Sequence, residues 1–163
     1  MRTSKKVAFL GVFTAVALIL SYIESMLPTF VPVPGIKLGL ANIVALFVLY
    51  RFSYREAALI SLIRIVVSSM LFGFTMFPYS LAGAVLSLTG MILLKKLTKL
   101  SIITVSVAGG VLHNLGQIAV AVLVTETVGL VGYIPVLLIS GTVSGVLIGV
   151  LGGLLYSKTP EFK

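Results

Sequence analysis

The chain has no cysteine, no aspartate and few charges of any kind. Without cysteine there is no disulfide framework and no thiolate metal site. Without aspartate, the side-chain carboxylates reduce to Glu24, Glu56, Glu126 and Glu161, which limits the available chemistry severely. Only 10% of the 163 residues are charged, 59% are hydrophobic, and the mean hydropathy is +1.22. A soluble domain carries about a quarter charged residues. Polar surface is too scarce here to coat a globule in water, so lipid must solvate most of the chain. The length suits a single domain, residues 1–163.

The charge that is present has mainly one sign: 12 Lys and Arg against 4 acids, a formal net charge of +8. Its placement in short loops points to connections beside anionic lipid rather than to nucleic acid. Arg2, Lys5 and Lys6 precede an apolar run, as in a secretory signal. That run is about 20 residues long and has no clear small-residue cleavage pattern, so it reads as a retained first span.

A bilayer core of about 30 Å needs roughly 20 apolar helical residues. Candidate spans cover Val7–Leu27, Leu38–Tyr50, Ala57–Phe77, Pro78–Leu94, Ser101–Val124 and Tyr133–Tyr156. The expected fold class is therefore all-α, an integral membrane bundle of six transmembrane helices. The second run is 13 residues, too short to cross without tilt or help from the segment before it. That segment holds Pro28, Pro32, Pro34 and Gly35 and cannot be a continuous helix. With the N-terminus cytoplasmic, one side holds Arg2, Lys5, Lys6, Arg51, Arg55, Lys95, Lys96, Lys99, Lys158 and Lys163. The other side holds only Lys37, and Arg64 falls inside a span. That asymmetry predicts both termini in the cytoplasm of a prokaryotic cell, with a multi-pass chain in the cell membrane.

Small residues recur at helical spacing. Gly141, Gly145, Gly149 and Gly153 form a ridge on the sixth helix, which predicts close packing within the bundle. Ala8, Gly11 and Ala15 form a similar strip on the first, open to bundle packing or to docking of a partner.

Three groups of polar residues need an account. Arg64 lies within the third span, with Ser61 and Ser68 on its face. A guanidinium there snorkels, pairs with backbone carbonyls, or serves a ligand or gate. His113, Asn114 and Gln117 crowd one side of the fifth helix near its middle, beside Gly109 and Gly110. Helix-to-helix hydrogen bonding explains one such residue easily, whereas three together point to a site. A lone histidine with no second ligand of suitable type nearby does not make a metal site. The third group is Pro32-Val33-Pro34-Gly35-Ile36-Lys37-Leu38-Gly39-Leu40-Ala41-Asn42. A broken start to the second helix, beside a lysine, is the pattern of a substrate pocket that attracts anions. An ordinary proline-rich loop with a snorkelling lysine is the plainer alternative. Glu24 is expected to pair with Lys37 or to line the pocket mouth.

The stretch PGIKLGLAN, at residues 34–42, and HNLGQ, at residues 113–117, carry a family resemblance. With the basic N-terminus and six spans, the chain resembles the Gx transporter family, whose members are often labelled heptaprenyl diphosphate synthase component I. That family is similar to the substrate-binding S components of energy-coupling factor (ECF) transporters. The resemblance covers nearly the whole chain. It implies an S-component-like bundle that captures a vitamin-like molecule from the outer side, under the loop joining helices one and two. Lys37, Asn42, Arg64, His113, Asn114 and Gln117 would be substrate-binding candidates. Ala8, Gly11 and Ala15 would dock onto a transmembrane coupling protein driven by two cytoplasmic ATPases. No glycine-rich phosphate loop is present, so ATP hydrolysis would fall to those partners. The expected partners are thus a small-molecule ligand, membrane lipids and such coupling subunits, with no nucleic acid; no cofactor and no enzymatic activity are expected.

The synthase label meets a chemical obstacle. Prenyl chain elongation of the usual all-trans kind holds a diphosphate through magnesium on clustered aspartates, and this chain has none. The label fits at most a non-catalytic membrane accessory subunit in isoprenoid or quinone metabolism, which stands as the alternative function. A simple channel is weaker, because one intramembrane charge does not line a pore.

Overall fold

A computed structural model describes residues 3–26 and 39–159. Six α-helices lie among the described residues: α1 (Thr3–Met26), α2 (Asn42–Arg51), α3 (Tyr54–Phe72), α4 (Phe77–Leu97), α5 (Ile102–Thr125) and α6 (Ile134–Lys158). There is no strand among the described residues. Local chemistry sets several of the boundaries. Ser53 and Ser101 cap α3 and α5, their hydroxyls accepting from the N–H of Arg55 and Thr104. Pro78 and Pro135 occupy the first turns of α4 and α6, where a missing N–H costs nothing. Gly73, at φ +116°, breaks the chain after α3 in a conformation other residues rarely adopt.

Four segments are long and apolar enough to cross a membrane: Ser4–Met26, Phe74–Leu97, Ile102–Thr125 and Val128–Lys158. The two remaining helices depart from the spans expected of the sequence. α3 ends at Phe72 rather than Phe77, and it carries Arg55, Glu56 and Arg64. α2 is shorter than the apolar run suggested, 10 residues or about 15 Å, half a bilayer core. It is also buried nearly all round, with Leu46, Phe47 and Val48 at 0% exposure, so it is the core of the bundle rather than a lipid-facing wall.

Cross-helix contacts show the direction of each helix. Lys6 meets Glu56 and Ser21 meets Arg64, so α1 and α3 run in parallel. Leu46 lies against Gly152, Tyr50 against Tyr156, and Arg51 donates to the Thr159 carbonyl, so α2 and α6 run together the other way. Lys95 of α4 reaches the Leu49 carbonyl at the end of α2. One pole of the bundle therefore gathers Lys6, Arg51, Arg55, Lys95 and Lys96. The opposite pole has no Lys or Arg among the described residues. Between the poles, large apolar side chains such as Val12, Ile19, Met70, Ile139 and Leu147 stand exposed on α1, α3 and α6, as expected of surfaces solvated by lipid.

Candidate functional site

The inner face of α1 is a column at helical spacing: Lys6, Phe9, Phe13, Ala17, Ser21 and Glu24. Phe9 packs on Phe52 and Phe13 stacks on Phe47 with ring centroids 4.7 Å apart. Above the rings the column turns polar. Ser21 accepts a hydrogen bond from Arg64 Nη1 at 3.3 Å. Glu24 accepts from the backbone N–H of Gly39 and, at 3.3 Å, of Leu40. These amides open α2, so the carboxylate occupies the positive end of a helix that starts inside the bundle.

Arg64 is 8% exposed and its guanidinium faces the interior, so it does not snorkel to the basic pole. Glu24 and His113 both lie within reach of its charge. Of the two, Glu24 is the counter-charge, without which burial would be prohibitive for an ion.

His113, Asn114 and Gln117 are all buried, at 3%, 2% and 1% exposure. The crowding on one side expected of them is only partly met, because His113 and Asn114 diverge. The imidazole lies between Gly39 and Gly83: a Cβ at Gly39 would come within 3.2 Å of Cδ2, and one at Gly83 within 2.9 Å of Nδ1. Nδ1 faces the Gly83 backbone without a well-formed hydrogen bond. Asn114 instead turns to α6, its amide donating to the Leu137 carbonyl at 2.8 Å and to Ser140 Oγ at 3.1 Å, while Oδ1 has no partner. Asn42, the first residue of α2, is 8% exposed and sits beside Gly39 and His113; its Nδ2 also lacks a partner. Ser87 Oγ of α4 and Ser68 Oγ of α3 are buried and unbonded too. Buried polar atoms are rarely left so, and two of these, on Asn42 and His113, lie side by side at Gly39.

Of the substrate-binding candidates, the structure brings Asn42, Arg64 and His113 to one buried polar centre around the start of α2. Asn114 and Gln117 lie on the same helix as His113. Lys37, and with it the expected pairing with Glu24, lies outside the described residues. Ser21 and Gly83 belong to the centre but were not foreseen. Ser21 lies three residues before Glu24, on the face that carries Phe13 and Ala17, and that spacing was a usable signal. Gly83 had none, since its part is only to leave room for an imidazole from another helix.

The small-residue strips differ. Gly141, Gly145 and Gly149 lie against the α5 backbone at Gly110, Val107 and Ile103, as the packing reading requires. Ala8, Gly11 and Ala15 are exposed, and a Cβ at Gly11 would meet nothing within 4 Å.

Six helices, four of them of membrane-crossing length, around a buried polar centre define a helical membrane protein. The profile of the family described as heptaprenyl diphosphate synthase component I matches residues 13–155, and the chain belongs to that family. No curated protein and no solved structure shows significant similarity to the chain.

Proposed function

We propose that this protein is the substrate-binding membrane subunit of a small-molecule transporter, like the S components of ECF transporters. It crosses the prokaryotic cell membrane six times with both termini in the cytoplasm. It captures a vitamin-like or other small ligand from the outer side. The observation that carries this reading is the polar centre: side chains from α1, α2, α3 and α5 converge where α2 begins in mid-bundle, and two buried polar atoms there, Asn42 Nδ2 and His113 Nδ1, lack partners. Broken helices and unsatisfied polar groups at membrane depth are characteristic of solute pockets. Asn42, Arg64, His113, Asn114, Gln117 and Lys37 contribute to binding. Arg64 also holds Ser21 and balances Glu24. The gathering of cations at one pole supports a cytoplasmic placement of that pole.

Energy is supplied by partners, a coupling protein in the membrane and two cytoplasmic ATPases. The exposed strip of Ala8, Gly11 and Ala15 supports docking on α1, because small residues let a second helix approach closely. The protein is not itself an enzyme. The family's name favours a second reading, a non-catalytic accessory subunit in isoprenoid or quinone metabolism.

Mass spectrometry of what co-purifies with the detergent-solubilised protein separates the two readings. The transporter reading expects a stoichiometric small solute, bound without ATP and lost in H113A and N42A, and a pull-down that returns a coupling protein and ATPases. Recovery of a soluble prenyl synthase with no bound solute would favour the accessory role and defeat the proposal.

A further inference from the structure

At the basic pole, away from the polar centre, a recess of about 220 Å3 opens between the end of α2, the start of α3 and the end of α4. Its lining has two characters. Leu49, Phe52 and Ile92 are apolar, whereas Lys95, Lys96 and the Ser53–Tyr54 start of α3 are not. The two lysines are the charged groups of its lining. The start of α3 is already capped, the Ser53 hydroxyl accepting from the Arg55 N–H, so the charge of the recess rests on the two lysines. Lys95 donates to the Leu49 carbonyl at 2.6 Å and lies over the Tyr50 ring, and Lys96 lies 5.0 Å from the Tyr54 ring centroid. Neither ammonium meets a carboxylate among the described residues. The acid nearest in sequence to the recess, Glu56, is held by Lys6 and by the Ser53 hydroxyl.

A cationic recess with no acid in its lining is matched by an anion. Its apolar share argues against a fully hydrated ion, which would leave Leu49, Phe52 and Ile92 against water for no return. An amphiphile satisfies both parts, with its charged group at Lys95 and Lys96 and its first methylenes on the apolar wall. The recess also lies at the end of α4, where a bilayer crossed by Phe74–Leu97 has its headgroups. We propose that this recess binds the phosphate headgroup of an anionic membrane lipid, in the leaflet at the basic pole.

The test is native mass spectrometry of the full chain in detergent micelles, titrated with phosphatidylglycerol or phosphatidylcholine. Phosphatidylglycerol is expected to form a saturable one-to-one adduct that phosphatidylcholine does not. K95Q/K96Q is expected to weaken it about tenfold or more, at about one surface-lysine contribution each. K96Q alone leaves the Lys95 bond to Leu49 in place and is expected to weaken it about fivefold. The control, K99Q/K158Q, removes the same charge outside the recess and is expected to change affinity less than about twofold. Equal binding of the two lipids overturns the proposal. So does a control variant that loses as much as K95Q/K96Q, since that would mean diffuse attraction to a basic face. Displacement of the lipid by millimolar inorganic phosphate also overturns it, in favour of a soluble phosphate compound.

Discussion

Where α5 meets α6, the closest approaches are between backbones. A Cβ at Gly145 would stand 2.6 Å from the Val107 Cα, and one at Gly110 would stand 2.4 Å from the Gly141 carbonyl oxygen. α4 joins α5 in the same way, with Gly116 against the Ala82 carbonyl. Where α1 meets α2 and α3, the contacts are between side chains: Phe9 on Phe52, Phe13 on Phe47, Lys6 with Glu56, Ser21 with Arg64, and Glu24 on the opening amides of α2. In lipid, helices gain little from excluding water, so association rests on close packing and on hydrogen bonds. The α4–α6 side rests mainly on backbone-to-backbone packing, with Asn114 adding hydrogen bonds to Leu137 and Ser140, and the α1–α3 side on packed and hydrogen-bonded side chains. Side chains can change rotamer while a backbone in contact with a backbone cannot, so the polar centre is built along the more adjustable seam.

Substitutions that add bulk to one side or remove polarity from the other test this difference. The largest loss is expected for G145L, where no neighbouring side chain can move aside: more than about 3 kcal/mol, read as loss of the folded monomer or a collapse in melting temperature in detergent. A melting temperature close to wild type would mean that α5 and α6 can separate, and that the two sides do not differ as described. E24Q comes next. It keeps the shape but weakens the charged acceptor for the Gly39 and Leu40 amides and leaves Arg64 unbalanced, for about 2 kcal/mol.

The Lys6–Glu56 pair gives a smaller, pH-dependent effect. The Lys6 ammonium and the Ser53 hydroxyl hold the Glu56 carboxyl down from its ordinary 4.5 to about 2. A carboxyl lowered in the folded state contributes stability above its unfolded value and loses it as the pH falls through the folded one. The excess stability of wild type over E56Q should therefore be constant above about pH 5 and fade between about 4.5 and about 2. Its full size is about 1 kcal/mol or less, because the pair is open to solvent. A difference that grew on acidification would exclude the pair as its source. G11L is the smallest. Nothing lies within 4 Å of the added carbon, so the isolated chain should shift by no more than about 0.5 kcal/mol. If the strip docks a coupling protein, the same variant should nonetheless lose that protein in co-purification, whereas unaltered recovery would remove Gly11 from the proposed interface.

Much of the bundle was legible along the chain. Four long apolar stretches and the ridge of glycines four residues apart on α6 depend on local spacing, and both stand where the spacing put them. α2 was harder, because an apolar run reads alike whether it faces lipid or is buried among other helices. The polar centre was legible residue by residue and not as an arrangement. His113 and Asn114 are adjacent in sequence, yet about 100° of helical turn sends one toward Gly39 and Gly83 and the other toward Leu137 and Ser140. Spacing alone leaves Arg64 free to snorkel; a serine 43 residues away, on a helix running alongside, holds it inside instead.

Taken alone, the order of residues determined that this chain is helical, that lipid must surround it, and that its cations would collect toward alternate connections. Those properties follow from hydropathy and charge summed over neighbours in the chain. Tertiary structure alone decided that the shortest helix is the core, that Glu24 takes the opening amides of α2, and that Lys95 and Lys96 flank a recess rather than a bare surface. Each of these depends on how a helix is rotated against others distant in sequence, and hydropathy carries no record of that rotation.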